Sequence, residues 1–350
     1  MSAKKKVGTL FLKLRTLKIL SVVTEIYVKS GQPVGSKAVC ENLKNSPSAA
    51  TVRSEMSYLT ILGLLEQPHI SSGRVPSVEG YKLYLNSCMK KKDLSDEEKN
   101  FIYGMFKEKV SDPESIIIEA SKVLSKITGC AVVFTAPSVG NAFVKEIKFV
   151  KIGLRTAMLI LITSAGMVQN QIFNCGFEIT EDVLLVFKRV IQEKFKNVML
   201  KDLLPNMHGM IFGKEVKDIV IVPAFEAAFY AVKRAYQLQI GIEGHRNLFN
   251  FSNLVDAFSI LDFVNNKEAM AKFLFSSSKK IKTYVGGESS IRVFKNCSVI
   301  VGKYLINMQQ GAIATISSTR LDYSDTIAKL GYILDIVQDM FVEFLRNLGV

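Results

Sequence analysis

From residue 10 onward the apolar positions Leu10, Leu14, Leu17, Leu20, Val23 and Ile26 or Tyr27 recur at steps of three and four. That spacing predicts one face of a helix ending near Ser30-Gly31. Gln32-Pro33-Val34-Gly35 reads as a turn, and Ser36 is placed to cap a short second helix to Leu43, with Val39 and Leu43 inward. Asn45-Ser46-Pro47-Ser48 offers a further cap, with Pro47 in the first turn of a third helix that stops at Gly63. Val52, Met56 and Leu59 face inward on it, which leaves Ala50, Arg53, Ser54 and Ser57 outward. Residues 64–67 then read as a strand, Ser71-Ser72-Gly73 as a hairpin turn and 74–76 as the return strand. Ser77 caps a helix to about Cys88. Three helices followed by a two-stranded ribbon describe a winged helix-turn-helix.

Beyond it, a charged stretch at 90–98 reads as a solvated linker into a helix capped by Ser95. Helical spacing returns at 115–127, strand-like runs at 131–135, 143–151, 157–163 and 167–173, and an amphipathic helix at 183–195. Strands at 283–285, 298–306 and 311–317 precede a long helix at 323–348. This order is an α+β, multi-domain pattern of sandwich type. Between its halves, 201–279 holds an apolar run at 219–222, an Ala-rich helix at 224–235 and helical spacing at 254–274. Its apolar excess at Phe225, Phe229, Tyr230, Phe258, Leu261 and Phe263 fits an interface and a private core equally well.

Length and charge sharpen the picture. A chain of 350 residues, 48% of them hydrophobic, exceeds a single ordinary core. Of the net charge of +13, residues 1–92 carry +10, from fifteen Lys and Arg against five Glu, so the rest contributes only +3. A polyanion, nucleic acid or an acidic membrane face, is the partner such a segment suits. The five cysteines are odd in number and scattered, as reduced thiols of the cytoplasm are. The basic start Met1-Ser-Ala-Lys-Lys-Lys6 leads into apolar sequence broken by Lys13, Arg15 and Lys18, so no export signal is expected. The longest clean apolar run, 157–162, is far below the ~20 residues a bilayer needs, and a cytoplasmic, nucleoid-associated protein with no membrane partner is expected.

A serine-faced helix alone is ordinarily a solvated surface. Behind a helix-turn-helix and followed by a ribbon, small polar residues and an Arg suit close entry into the major groove, and Arg74 suits backbone or minor-groove contact. The candidate DNA-binding set is Ser36, Lys37, Ser46, Ser48, Ala50, Thr51, Arg53, Ser54, Ser57, Ser72 and Arg74. No catalytic constellation assembles. His69, His208 and His245 have no ligand-spaced neighbours, so no metal is expected, and His69 reads as a packing or bonding residue at the wing base. Gly209-x-x-x-Gly213-Lys214-Glu215 is one residue short of a phosphate loop and has Glu where Ser or Thr is required. Gly286-Gly287 reads as a turn or bulge, and no cofactor is expected.

The strings Gln32-Pro33-Val34-Gly35-Ser36-Lys37, Ala50-Thr51-Val52-Arg53-Ser54-Glu55-Met56, Gly63-Leu64-Leu65-Glu66-Gln67-Pro68-His69 and Ser72-Gly73-Arg74-Val75-Pro76-Ser77 with Gly80-Tyr81 closely resemble the HrcA family of heat-inducible transcription repressors. Weaker matches continue in Gly241-Ile242-Glu243-Gly244 with Asn247-Leu248, in Gly286-Gly287-Glu288 and in Ser318-Thr319-Arg320-Leu321-Asp322-Tyr323. The resemblance implies a winged helix-turn-helix at 1–90, a linker at 91–104, and a GAF-like domain at 105–200 and 280–350 interrupted by an inserted dimerisation domain at 201–279. It also implies a homodimer on the CIRCE inverted repeat of chaperone operons, aided by a GroEL-type chaperonin. Ser54 stands where the family usually has Asn, which removes a bidentate amide from the reading surface, and the wing departs from the usual Thr-Ser-Ala-Gly-Arg-Val-Pro-Thr. Two other readings are a small-molecule-sensing GAF-like regulator of other promoters and an RNA-binding or ribosome-associated factor. The second would need exposed aromatics on a strand face, and the head has none evident.

Overall fold

The computed structural model describes residues 4–7, 10–43, 47–70, 72–106, 113–136, 142–205, 220–237, 239–250, 254–286, 291–306 and 309–347. Helices and several antiparallel sheets alternate along the chain, an α+β architecture.

A hairpin opens the chain where a helix is expected. Strands β1 (Lys4–Val7) and β2 (Leu10–Lys13) pair antiparallel, and α1 (Leu14–Ser30) starts only after them. Leu10 and Leu12 alternate over too few positions to be told from the helical spacing that follows. α1 buries Leu17, Ile19, Leu20 and Val23 and ends on Gly31, whose φ of 68° is left-handed and whose N–H bonds Tyr27 O at 2.8 Å. α2 (Ser36–Asn42) begins without a side-chain cap: Val34 is bridged to Arg74, Gly35 stays extended, and Ser36 is the first helical residue instead of the cap. α3 (Ala49–Ile61) is capped by Ser48, which accepts the Thr51 N–H at 3.2 Å, so Pro47 precedes the helix and does not lie in its first turn. β3 (Leu65–Glu66) and β4 (Val75–Pro76) form a short antiparallel ribbon. α4 (Val78–Leu83), capped by Ser77, widens into a π-type turn at Tyr84–Cys88. Leu17, Leu20, Val23, Val39, Val52, Leu59 and Leu65 make one core of these elements. α5 (Asp96–Gly104) follows, with a reciprocal cap between Ser95 and Glu98.

The central body is a five-stranded antiparallel sheet of order β10-β11-β12-β5-β9. Its strands are β5 (Ala131–Thr135), β9 (Ile240–Glu243), β10 (Ile281–Val285), β11 (Cys297–Ile306) and β12 (Gln309–Ser318). Alternation gives it two apolar faces. Val132, Phe134, Ile300, Tyr304 and Ile313 lie under α6 (Pro113–Thr128) and α11 (Tyr323–Asn347). Val133, Val299, Val301, Ala314 and Ile316 lie under α9 (Leu254–Asn265) and α10 (Lys267–Leu274). The expected helical spacing of 254–274 is thus two helices, divided at Asn266, whose side chain accepts the Ala269 N–H.

Between β5 and β9 the chain builds a separate core. Strands β6 (Val144–Lys151), β7 (Thr156–Thr163) and β8 (Val168–Asn174) form a meander covered on one face by α7 (Glu181–Phe195) and α8 (Val222–Tyr236). Buried Ala224, Ala227, Ala228, Ala231 and Ala235 let α8 lie close to the strands. Packing therefore groups 142–235, whereas an insert was expected at 201–279. β9, α9 and α10 of that stretch belong to the five-stranded sheet, because β9 pairs with β5 across more than a hundred residues of sequence. Of the apolar residues noted in that stretch, Phe225 is core, Phe229, Leu261 and Phe263 are half-buried, and Tyr230 and Phe258 are exposed. All five cysteines are free thiols. No helix among the described residues is long and apolar enough to cross a membrane.

Candidate nucleic-acid interface

α3 divides cleanly by face. Val52, Met56 and Leu59 are buried, while Ala50, Arg53 and Ser54 are exposed and Ser57 is half-buried. The helix is fixed to α1 through Glu55, which accepts from Arg15 Nη2 and from Thr16 Oγ1, each at 2.6 Å. Burial pushes the Glu55 carboxyl up, but the Thr16 and Arg15 hydrogen bonds outweigh it and hold the group below the usual carboxylate range. Ser48 and Thr51 share a hydroxyl contact of 2.9 Å at the start of α3 and serve its cap. Lys37 is exposed on α2. Ser46, Ser71, His208, the stretch 209–215 and Gly287 lie outside the described residues.

The ribbon is sewn to the α1–α2 link. Val34 and Arg74 exchange both backbone hydrogen bonds at 2.9 Å, and a Cβ on Gly73 would run into the Val34 backbone, so only glycine permits this approach. Within the turn Gln67 Nε2 donates to Ile70 O at 2.7 Å and to Ser72 O at 3.2 Å. The Ser72 hydroxyl accepts the His69 N–H and donates to His69 O, so His69 is bonded within the turn through its backbone. Ile70, fully exposed, is the tip. Arg74 is not at that tip: its Nε donates to Thr60 Oγ1 at 3.1 Å, and the side chain leans back on α3.

Ribbon, α3 and the start of α2 enclose a cleft of about 360 Å³. Ser36, Arg53, Ser57, Ser72 and Arg74 line it together, whereas Lys37, Ser48, Ala50, Thr51 and Ser54 lie on the neighbouring surface. Gln67 and Ile70 line it as well and were not singled out from sequence. A glutamine inside the turn-rich stretch 67–73 was the one available signal, and nothing marked Thr60. The described lining contains two guanidinium groups and several hydroxyls but no carboxylate, a composition matched to an anionic, hydrogen-bond-accepting ligand. Among the described residues no group of His, Cys, Asp and Glu is arranged to hold a metal ion.

Comparison with known proteins agrees along the chain. The HrcA protein C-terminal domain matches residues 114–327, more than half of the sequence. The heat-inducible transcription repressor HrcA of Clostridium perfringens is 30% identical over 325 residues, covering 90% of this chain and 94% of that protein. Its counterpart in Clostridium botulinum (strain Eklund 17B) is 31% identical over 336 residues, covering 91% and 95%. The crystal structure of a hypothetical protein at 2.2 Å resolution shares the fold, with a TM-score of 0.68 at 19% identity over 95% of this chain and 99% of that one. The chain belongs to the HrcA family, a family of transcription repressors and not of enzymes.

Proposed function

We propose that this chain represses heat-inducible chaperone operons by binding, as a homodimer, a CIRCE-type inverted repeat in duplex DNA. In this reading residues 1–90 are a winged helix-turn-helix whose α3 enters the major groove, with Ala50, Arg53 and Ser54 toward base edges. Ser36, Ser57 and Arg74 meet the phosphate backbone at the cleft and Lys37 meets it on the neighbouring surface, Ser48 and Thr51 hold the start of α3 with Ser46 before it, and Ser72 shapes the wing. The observation that carries the reading is the cleft itself: Arg53 and Arg74 face one space with no carboxylate in its described lining, in the segment that holds +10 of the chain's net charge of +13.

The five-stranded body is GAF-like in this reading, and 142–236 is the inserted dimerisation domain, a position drawn from the packing. Among the described residues no helix covers the second face of its meander, where Met158, Ile160 and Ile162 run between Val150, Val168 and Ile172. A second copy of that face would cover it. A two-fold protein calls for half-sites about one helical turn apart, ~34–36 Å, or a multiple of it. By family resemblance a GroEL-type chaperonin favours the DNA-binding form. The test is a salt-dependent gel shift with footprinting on an inverted-repeat duplex, with and without chaperonin. Protection of both half-sites with a steep salt slope is expected. Absence of protection on any inverted repeat rejects the reading.

A further inference from the structure

The head does not hang from a tether. Two separate parts of it and the segment that follows converge on residues 319–325, the turn before α11 and the start of that helix. Tyr81 of α4 is buried in the core beneath that turn, its ring 5.8 Å from Tyr323, and Tyr27 and Val28 of α1 with Leu85 and Met89 pack against the same core. Tyr323 is held in turn, its hydroxyl 2.5 Å from Ser298 Oγ and donating to Thr319 O at 2.8 Å. The Arg320 guanidinium fills the space that a side chain on Gly31 would take, against the left-handed end of α1. Lys92, just after the head, bridges Glu98 at 2.6 Å and Asp325 at 2.7 Å. Asp325 also takes Lys329 at 2.6 Å, and Ser324 Oγ donates to Lys90 O at 2.7 Å. Apolar, aromatic and ionic contacts thus fix the end of α1, α4 and the connecting segment to one short turn of the body.

We propose that residues 319–325 are a positioning element for DNA recognition: Tyr81, Lys92, Arg320 and Asp325 set the orientation of the head on the body, and so the operator spacing a dimer accepts. The inference rests on the DNA-binding reading above. A head binds its own half-site with contacts from α2, α3 and the ribbon, whereas the contacts described with this turn come from α1, α4 and the connecting segment. The second head of a dimer gains from the first only if it is already aimed at the second half-site, since effective concentration depends on how narrowly the pair is oriented. A loosened head keeps its half-site affinity and loses its discrimination between spacings.

The experiment uses the full-length chain and three duplexes: one half-site, the inverted repeat at its native spacing, and the repeat with about half a helical turn, ~5 base pairs, added between half-sites. Asp325→Asn, Lys92→Met and Arg320→Ala are each expected to bind the single half-site as the parent does. Their preference for native over lengthened spacing should fall by ~10-fold or more, while Lys92→Arg retains it. Equal spacing preference in parent and variants overturns the proposal. A parallel loss of half-site affinity also overturns it, because the contacts would then serve stability alone. Spin labels at Ser54→Cys and Lys122→Cys, with Cys40 and Cys88 replaced by Ser and labelled chain diluted in unlabelled, report the orientation without DNA. A narrow head-to-body distance that broadens in the variants supports the positioning role, and unchanged widths overturn it. A parent that binds no half-site rejects the DNA-binding reading separately.

Discussion

The two larger sheets of this protein use similar strands and differ in how they are closed. The five-stranded sheet has α6 and α11 on one face and α9 and α10 on the other, so both sets of alternating side chains are buried. Among the described residues the meander has helices, α7 and α8, on one face only, where Ala157, Leu159, Leu161 and Phe173 are buried. On its other face Val150, Val168 and Ile172 are exposed and Met158, Ile160 and Ile162 are half-buried. β-branched and aliphatic residues on such a face are the kind of apolar surface that the dimer proposed above would cover. Two sheets of comparable composition thus differ in how many of their faces the described residues bury.

Adding a charge should separate them most sharply. Val133→Asp, at a fully buried position in the closed sheet, is expected to cost more than ~4 kcal/mol and abolish cooperative unfolding of a native state, as read by circular dichroism on heating. Ile160→Asp should leave the protomer folded and, on the dimer reading proposed above, sediment as a smaller species than the parent. A protomer that unfolds with Ile160→Asp means the open face is covered by its own chain. Truncation gives a smaller contrast between neighbouring residues. Leu159→Ala should lower stability by about 2–5 kcal/mol in urea, and Ile160→Ala by less than ~1 kcal/mol once the dimer is diluted apart. Equal losses would erase the distinction between the faces.

Buried hydroxyls should respond with opposite signs. Thr315 in β12 is fully buried and its hydroxyl has no partner among the described residues, whereas buried Thr163 at the end of β7 accepts the Met167 N–H at 3.1 Å. Thr315→Val is expected to stabilise by about 1 kcal/mol and Thr163→Val to destabilise by a similar amount, measured as denaturation midpoints. The smallest effect is chemical. Burial, with Asp256 adding to it, pushes the Cys297 thiol up to about 11, while burial alone raises Cys175 in the separate core. Raising the value disfavours the thiolate, so at pH 8 roughly one thousandth of Cys297 is reactive even when reached. Its alkylation should climb about tenfold per pH unit until near pH 11, and fast labelling at neutral pH would show that the closed sheet opens.

Local pattern carried most of the elements. The strand expected at 131–135 is found at Ala131–Thr135, and the amphipathic spacings of 115–127 and 183–195 are helices, because burial on one face imposes a period that the sequence displays directly. Pairing partners are not displayed in that way. Nothing within Ile240–Glu243 indicates that its neighbour is β5, and so the expected insert at 201–279 took in β9 and the helices after it, which pack with the five-stranded sheet. At the candidate interface the outward face of α3 was legible from the positions of Val52, Met56 and Leu59. The placing of Arg74 was not, since its direction is decided by Thr60 on another element and by a backbone bridge to Val34.

The β5–β9 pairing has a further consequence. Thr135 lies opposite Ile240, and the Ala136 N–H reaches Gln239 O at 3.0 Å, so for the five-stranded sheet everything from 137 to 238 is the loop of one hairpin. Closing a loop of about a hundred residues instead of about four costs about 3 kcal/mol of chain entropy. Excising that stretch and joining the strands by a tight turn should therefore give a shorter, faster-closing body. The position is a natural splice point, at which a domain can be gained or exchanged without disturbing the sheet that carries it.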